Sequence, residues 1–238
     1  MLIAKDLRRH FGGVKAVDGV SFEVGPRSVT GIIGPNGSGK STLVSLLMGN
    51  NKVASGSIEF DGADITRVAP HRRVHRGLAR TFQETRLFDD QSARDNVLLA
   101  ATERTRGAEA EQLTNECLEF TGLCSIAATN AKELTHLQQR LLMIAVGLAS
   151  RPKLLLLDEP AVGTAGNELT TMIDTIRRIP DQRNCAVLLI DHNMRLVMEV
   201  CKRLVVLDFG QVIAEGSPTD VRSDPRVIEA YFGRENDQ

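Results

Sequence analysis

Hydrophobic and polar residues alternate along the first thirty positions, as in LIAKDL (residues 2–7) and AVDGVSFEV (residues 16–24). A two-residue period is typical of strands with one buried face, so this pattern predicts short half-buried strands. A further hairpin is predicted over residues 56–64. The compact run VTGII (residues 29–33) is rich in β-branched residues and leads directly into a glycine-rich loop.

Two continuous apolar runs lie deeper in the chain, KLLLL at residues 153–157 and AVLLI at residues 186–190. Runs of this length without alternation are typical of parallel strands that are covered on both faces. The later stretch VVLDFGQVIAEG (residues 205–216) predicts a hairpin that turns at Phe209 and Gly210.

Helical periodicity occupies much of the remaining chain. Residues 43–49 have the spacing of a buried helix that ends near Gly49, and residues 85–150 are mainly helical in pattern. Within the second segment, the apolar residues expected on recurring faces are Leu98, Leu99, Ala100, Leu113, Cys117 and Phe120. Ser217-Pro218 and Asp224-Pro225 each predict a helix start, with a capping residue followed by proline. The expected fold is α/β, a parallel core with a helical insertion.

Composition narrows the classes of function. The chain has 238 residues with 42% hydrophobic and 25% charged residues, which is typical of a soluble globular protein. The net charge of −1 gives no reason to expect a nucleic-acid partner, and the basic run at residues 67–80 is interpreted as a solvated face. No signal peptide and no apolar stretch of about 18 residues is evident.

The four cysteines form no CxxC pair, so they are expected to be buried or incidental thiols of a reducing compartment. Tryptophan is absent and there is one tyrosine, which argues against an aromatic-rich recognition surface.

The glycine-rich loop fits the pattern G-x-x-x-x-G-K-[ST] over residues 34–41, between a predicted strand and a predicted helix. Glycines let the backbone N–H groups fold around an anion, and the helix that follows adds its positive end. Lys40 would reach the β- and γ-phosphates of a nucleotide, and the Ser41 hydroxyl would bind Mg²⁺. The full set expected to bind the nucleotide here is Gly34, Asn36, Gly37, Ser38, Gly39, Lys40, Ser41 and Thr42.

Acidic residues end the apolar run LLLLDEP (residues 154–160). Carboxylates at a strand end lie at the lip of the sheet, beside the glycine loop. Asp158 would bind Mg²⁺, and Glu159 would act as the general base or orient the attacking water. His192 follows the run VLLID and could contact a γ-phosphate or that water. Alone, each of these features could be structural; their combination predicts hydrolysis of a nucleoside triphosphate.

In chain order, GPNGSGKST, TFQ, LxxxQQR, LLLLDEP and a DH pair after a strand resemble the ATP-binding subunits of ABC transporters. The resemblance covers essentially the whole chain. The phrases HFGGVKAVDGVSFEV, GLARTFQETRLF, DNVLLA and DPRVIEAYFG are similar to the subunits that drive bacterial uptake of branched-chain (hydrophobic) amino acids, with urea and amide importers as relatives.

The resemblance implies an ABC-type P-loop NTPase fold. Residues 1–84 and 151–238 would form a RecA-like core with an antiparallel β subdomain, and residues 85–150 a helical subdomain, within a single domain over 1–238. It also implies that Phe11 stacks on adenine and that Gln83 contacts Mg²⁺ and links the site to a membrane subunit. Glu159, His192 and Gln83 would be the catalytic residues. Without that context, Phe11 would be an ordinary core residue and Gln83 would carry almost no signal.

The expected cofactors are ATP and Mg²⁺. The expected partners are a second ATP-binding subunit, two permease subunits that span the membrane and, indirectly, a periplasmic or extracellular binding protein. The chain would lie peripherally on the cytoplasmic face of the inner membrane. A catalytically weak structural or regulatory subunit is the alternative; an ABC ATPase that acts on DNA or ribosomes would usually carry tandem nucleotide domains.

One departure from the family pattern concerns the signature, usually LSGGQ or LSYGQ. Here residues 134–138 read LTHLQ, so Leu137 replaces the glycine expected beside the γ-phosphate. A side chain there would obstruct the close approach of a backbone. The loop AVGTAGNE also lacks the Asp or Asn expected near Ala165. Both changes affect what this chain offers a head-to-tail partner, so we expect that partner to be a paralogue with an intact signature.

Overall fold

The N-terminal segments with alternating hydrophobic and polar residues form strands of an antiparallel sheet. The computed structural model describes residues 1–81 and 86–233. Its first sheet has the strand order β2-β1-β4-β5. The strands are β1 (Leu2–Phe11), β2 (Val14–Val24), β4 (Ser55–Phe60) and β5 (Ala63–Asp64). The predicted N-terminal strands and the hairpin at residues 56–64 are confirmed, but β1 and β2 are ten and eleven residues long rather than short.

The apolar runs form the second sheet, with the order β10-β9-β3-β8-β7-β6. Its strands are β3 (Val29–Ile33), β6 (Leu78–Arg80), β7 (Leu154–Asp158), β8 (Ala186–Ile190), β9 (Arg203–Asp208) and β10 (Gln211–Gly216). All pairs are parallel except β9 with β10. Every residue of β3, β7 and β8 is buried, as continuous apolar runs predict. The parallel strands therefore end at one common edge.

The helices of the described chain are α1 (Lys40–Met48), α2 (Pro70–His75), α3 (Ala93–Thr102), α4 (Ala108–Phe120), α5 (His136–Ala149), α6 (Gly166–Gln182), α7 (Met194–Val200), α8 (Pro218–Ser223) and α9 (Pro225–Phe232). Three terminal signals are confirmed. Gly49 ends α1 in the left-handed conformation, and Ser217 and Asp224 cap α8 and α9 ahead of a proline.

Helix α1 lies between the two sheets. Its buried Leu43, Leu46 and Leu47 belong to one apolar cluster with residues of the antiparallel sheet and of one face of the parallel sheet. The opposite face of the parallel sheet packs against α3 to α7 in a second cluster. Sandwiching α1 in this way fixes the loop that precedes it at the carboxyl edge of β3.

The segment expected to be mainly helical contains α3, α4 and α5, with two short 3₁₀ turns at Cys124–Ile126 and Ala131–Glu133. Among the residues expected on recurring faces of these helices, Leu113, Cys117 and Phe120 are buried, Leu98 and Ala100 are partly buried, and Leu99 is 52% exposed. Three consecutive residues span about 200° of a helix, so one of them must point away from the core. The predicted division at residues 84/85 and 150/151 stays a prediction.

The side chain of Arg73 binds carbonyl groups at the C-terminal end of α1. Arg73 is 1% exposed, and its guanidinium donates to the Leu46 and Leu47 carbonyls at 2.8 and 2.6 Å. It also donates to the carbonyls of Val68 and Thr66 at 2.8 and 3.1 Å. Burial lowers the pKa of Arg73 to about 10. This member of the basic run is therefore a structural residue rather than part of a solvated face.

The cysteines behave as expected from their spacing. Cys117, Cys185 and Cys201 are buried, and burial raises their pKa to about 11, 12 and 12, while Cys124 is exposed. In residues 1–81 and 86–233, no helix has both the length and the apolar character needed to cross a membrane.

Candidate active site

The glycine loop and one acidic residue line a single cavity of about 650 Å³ at the carboxyl edge of the parallel sheet. From the expected set it gathers Asn36, Gly37, Ser38, Gly39, Lys40, Ser41, Thr42 and Glu159. Gly13 before β2, the first three residues of β2 (Val14, Lys15 and Ala16) and Phe209 complete the lining. Gly34 precedes this set in the loop. Sequence reasoning missed these residues because they are distant from the glycine loop along the chain.

Gly39 shows why the loop needs glycine at the start of α1. Its φ is +105°, and a Cβ there would lie 2.2 Å from the Ala16 carbonyl oxygen. The loop therefore packs directly on the start of β2. The first backbone N–H groups of α1 have no helical partner and carry the positive end of its dipole, which suits an anion.

Lys40 folds back over the loop. Its Nζ donates to the carbonyls of Gly34 at 2.7 Å and Pro35 at 2.9 Å. Burial lowers the pKa of Lys40, while the charges of Glu159 and Asp158 oppose that change. Both carboxylates are thus close enough to act on this ammonium group.

Asp158 ends β7 and is 7% exposed. Its Oδ2 accepts from Nη2 of Arg80 at 2.6 Å, and its backbone N–H lies 3.4 Å from Oγ1 of Thr81. Sequence reasoning did not connect Arg80 with Asp158, because the two residues are 78 positions apart.

Glu159 and His192 come together at the ends of two adjacent strands. The Glu159 backbone N–H donates to the Ile190 carbonyl at 2.7 Å, which continues the β7–β8 ladder by one residue. Glu159 has a φ of +50°, uncommon for a residue with a side chain. Oε1 of Glu159 then lies 3.7 Å from Nδ1 of His192, whose side chain is 64% exposed.

Asp191 supports this pair, and the sequence analysis assigned it no role. It is 1% exposed and accepts from the backbone N–H groups of Asn193 at 2.8 Å and Ala161 at 3.2 Å. It therefore fastens the turn that carries Glu159 to the turn that carries His192. Burial raises the pKa of Asp191, and these two hydrogen bonds together with His192 oppose that rise, whereas Glu159 adds to it. The position of Asp191 between a buried strand and His192 was the sequence signal that could have indicated its role.

The donor atoms present suit a nucleotide with Mg²⁺. Oγ of Ser38 is buried and has no hydrogen-bond partner among the described residues. The hydroxyl of Ser41 and the carboxylate of Asp158 are oxygen ligands of the kind Mg²⁺ prefers. Within residues 1–81 and 86–233, no cluster of three or more His, Cys, Asp and Glu could hold a metal alone. Phosphate oxygens of the nucleotide and water would complete the coordination.

Among the expected site residues that the structure describes, Phe11, Gly34, Asp158 and His192 are not part of the cavity lining. Phe11 ends β1, is 44% exposed and lies outside the cavity lining, with the Arg9 guanidinium 4.7 Å from its ring centre. Gln83 lies outside the described residues. Phe209 contributes an aromatic side chain to the lining and is 72% exposed.

The altered signature begins α5. Thr135 caps the helix and forms a reciprocal capping box, in which Oγ1 accepts from Gln138 N at 3.3 Å and Gln138 Oε1 accepts from Thr135 N at 2.9 Å. Leu137 is half-buried against the main core cluster. The ring of His136 lies over Gly163, where a Cβ would come within 2.9 Å of it. Thr135 and Gln138 therefore satisfy each other's hydrogen bonds at the start of α5.

Comparison with known families places this geometry in context. Residues 17–162 match the family described as ABC transporter, and residues 211–237 match the branched-chain amino acid ATP-binding cassette transporter family. In each comparison that follows, the alignment covers 98% of both chains.

The high-affinity branched-chain amino acid transport ATP-binding protein BraF of Pseudomonas aeruginosa is 35% identical. LivG of Escherichia coli K12, which has the same description, is 33% identical. LptB, the ATP-binding protein of the lipopolysaccharide export system of that strain, is 32% identical. A crystal structure of the ADP conformation of MJ1267, an ATP-binding cassette of an ABC transporter, superimposes with a TM-score of 0.88 at 31% identity.

Proposed function

The chain belongs to the ABC transporter family and is one of its ATP-hydrolysing cassettes, and we propose that it powers uptake of branched-chain or other hydrophobic amino acids. The match at residues 211–237 and the descriptions of BraF and LivG support that substrate class.

One observation carries the catalytic assignment: Glu159 lines the same cavity as the glycine loop. The loop N–H groups and Lys40 would hold the phosphates, with Lys40 against the β- and γ-phosphates. Glu159 would orient the attacking water or accept its proton, and His192 would contact that water or the γ-phosphate. Ser41 and Asp158 would hold Mg²⁺, which when bound offsets the negative charge on the phosphates. Gln83 and Phe11 keep the roles that the family resemblance gives them.

ABC ATP-binding subunits of importers work with permeases that span the membrane. We place this chain on the cytoplasmic face of such a permease pair. A groove of about 230 Å³ lined by Arg86, Leu87, Ala100, Met143 and Val146 supports this placement. Phe88, beside it, is 58% exposed. An apolar and partly cationic groove of this kind would receive a cytoplasmic helix of the permease, whose periplasmic or extracellular binding protein makes only indirect contact.

The partner cassette is proposed to be a paralogue with an intact signature. In a head-to-tail dimer each ATP lies between one chain's phosphate loop and the other chain's signature. Here Thr135 and Gln138 are bonded to each other and Leu137 packs against its own core. This chain therefore has a complete catalytic half and a weakened signature half, so a heterodimer would contain one competent site and one slow site.

The test uses the assembled transporter in proteoliposomes, with labelled leucine and ATP hydrolysis as the two measurements. Glu159→Gln in this chain should retain nucleotide binding and abolish most hydrolysis and uptake. Replacing the corresponding glutamate of the partner should have little effect. Glu23→Gln, at an exposed position of β2, is the matched control and should behave as the wild type.

Equal losses from the two glutamate variants would contradict the asymmetry, as would full activity of this chain as a homodimer. Hydrolysis stimulated by urea or a short amide, but not by leucine, would show that the transported substrate is not a hydrophobic amino acid. The ATPase assignment would still hold. Leu137→Gly should raise turnover at the slow site, because it restores the glycine that the family signature has beside the γ-phosphate and allows a closer backbone approach.

A further inference from the structure

Asp158 forms an ion pair with the guanidinium group of Arg80. Nη2 of Arg80 lies 2.6 Å from Oδ2 of Asp158, with the two side chains only 15% and 9% exposed. We propose that Arg80 is a positioning residue that holds Asp158 in the metal-free state and competes with Mg²⁺ for its carboxylate. The inference rests on the proposed role of Asp158 as a magnesium ligand.

The backbone under this pair is firmly held. Arg80 is in register with Leu156 in the parallel β6–β7 ladder, and Thr81 N–H donates to the Leu156 carbonyl at 2.9 Å. Asp158 is in register with Ile190 of β8. Neither residue can move away by a shift of its strand, so the contact opens by rotation of the Arg80 side chain.

Burial increases the energetic effect of the Arg80–Asp158 ion pair. A carboxylate removed from water is costly when unpaired, so Arg80 stabilises Asp158 in the absence of metal. A divalent cation at the same carboxylate is repelled by the nearby guanidinium, whether it takes Oδ1 or displaces Arg80 from Oδ2. Binding of the metal has to disrupt the Arg80–Asp158 pair, so the free energy that stabilises the pair lowers the affinity of the site for the metal.

The experiment titrates Mg²⁺ into the full-length chain with ADP present and follows both the thermal unfolding midpoint and fluorescent-ADP binding. Arg80→Met removes the charge and keeps most of the length of the side chain. It should lower the Mg²⁺ concentration for half-maximal effect by about tenfold or more, the change expected on losing a charge-assisted hydrogen bond. ADP affinity in excess EDTA should stay within about twofold of the wild type, because the proposal gives Arg80 no contact with the nucleotide.

Three variants serve as controls. Arg80→Lys keeps a cation and should retain much of the wild-type Mg²⁺ dependence. Arg203→Met removes another arginine of the same sheet, whose Nε lies 2.9 Å from Glu215, and should leave it unchanged. Asp158→Asn tests the underlying assignment: if Mg²⁺ dependence survives in it, Asp158 is not a metal ligand, whatever Arg80 does.

An unchanged or higher Mg²⁺ requirement in Arg80→Met would overturn the proposal. Weaker ADP binding in EDTA would also overturn it, because Arg80 would then contact the phosphates directly. If Arg80→Met does not fold, Arg80→Gln provides the same comparison with a polar replacement.

Discussion

The buried guanidinium of Arg73 offers the sharpest test of how the site is supported. Arg73→Met would leave two carbonyls at the end of α1 without their charged donor, together with the carbonyls of Val68 and Thr66. Four hydrogen bonds from a charged group, each at the low end of about 1.5–3 kcal/mol, amount to about 6 kcal/mol.

Relief of the buried charge offsets part of this loss. Burial lowers the pKa of Arg73 to about 10, which corresponds to a penalty of about 3 kcal/mol for keeping the group charged. The hydrogen bonds outweigh the penalty, so we expect Arg73→Met to lower the free energy of unfolding by about 3 kcal/mol.

Urea unfolding followed by far-ultraviolet circular dichroism at pH 7 measures this directly, since the chain has no tryptophan to report by fluorescence. Arg72→Met is the matched control: it changes the exposed neighbouring arginine of α2 and should alter stability by less than about 0.5 kcal/mol. A loss below about 1 kcal/mol in Arg73→Met, or one equal to that of the control, would show that desolvation cancels the hydrogen bonds and refute the reasoning.

Three further changes have definite expected outcomes. Lys40→Ala should weaken binding of Mg²⁺-ATP severely through loss of the charge facing the β- and γ-phosphates, and an unchanged Kd by titration with labelled nucleotide would reject the site. For Asp191→Asn, burial raises the native pKa of the wild-type carboxyl. The stability that this raised pKa gives the folded protein is therefore complete below the unfolded pKa of about 3.9 and is lost as pH rises through the native pKa. The stability advantage of wild type over the variant should therefore be larger at pH 4 than at pH 7 in urea unfolding, and a gap that widens with pH would contradict this. Gly31→Ala places a Cβ 2.6 Å from Cδ2 of Leu204 and should cost about 1–3 kcal/mol; the open position Gly13 provides the alanine control, and equal effects in thermal unfolding would argue against the steric account.

The sequence was most informative where local rules decide the structure. The loop at residues 34–41, the turn at Phe209 and Gly210, and the proline-marked start of α8 depend on neighbouring residues, and all were predictable in place. Strand type was predictable because a covered parallel strand leaves no polar alternation.

Contacts between distant parts of the chain were not predictable in the same way. Arg80 meets Asp158 only because β6 lies beside β7, an adjacency that no local pattern encodes. Within the basic run, which is mostly exposed, the interpretation as a solvated face was wrong for Arg73, since its four acceptors are backbone carbonyls, which carry no sequence signal. The reciprocal hydrogen bonds at Thr135, in contrast, have a readable T-x-x-Q pattern, and their absence from the sequence interpretation was avoidable.

The distribution of thiols makes the chain convenient for spectroscopy. Three cysteines are buried and their pKa values are raised to about 11 or 12, so at pH 7.5 they present neither accessible sulfur nor thiolate to a maleimide. Cys124 alone among the four is exposed. It begins the short 3₁₀ turn that follows α4 in the helical segment. A dye attached there without any mutagenesis would report how that segment moves relative to a second label on the permease.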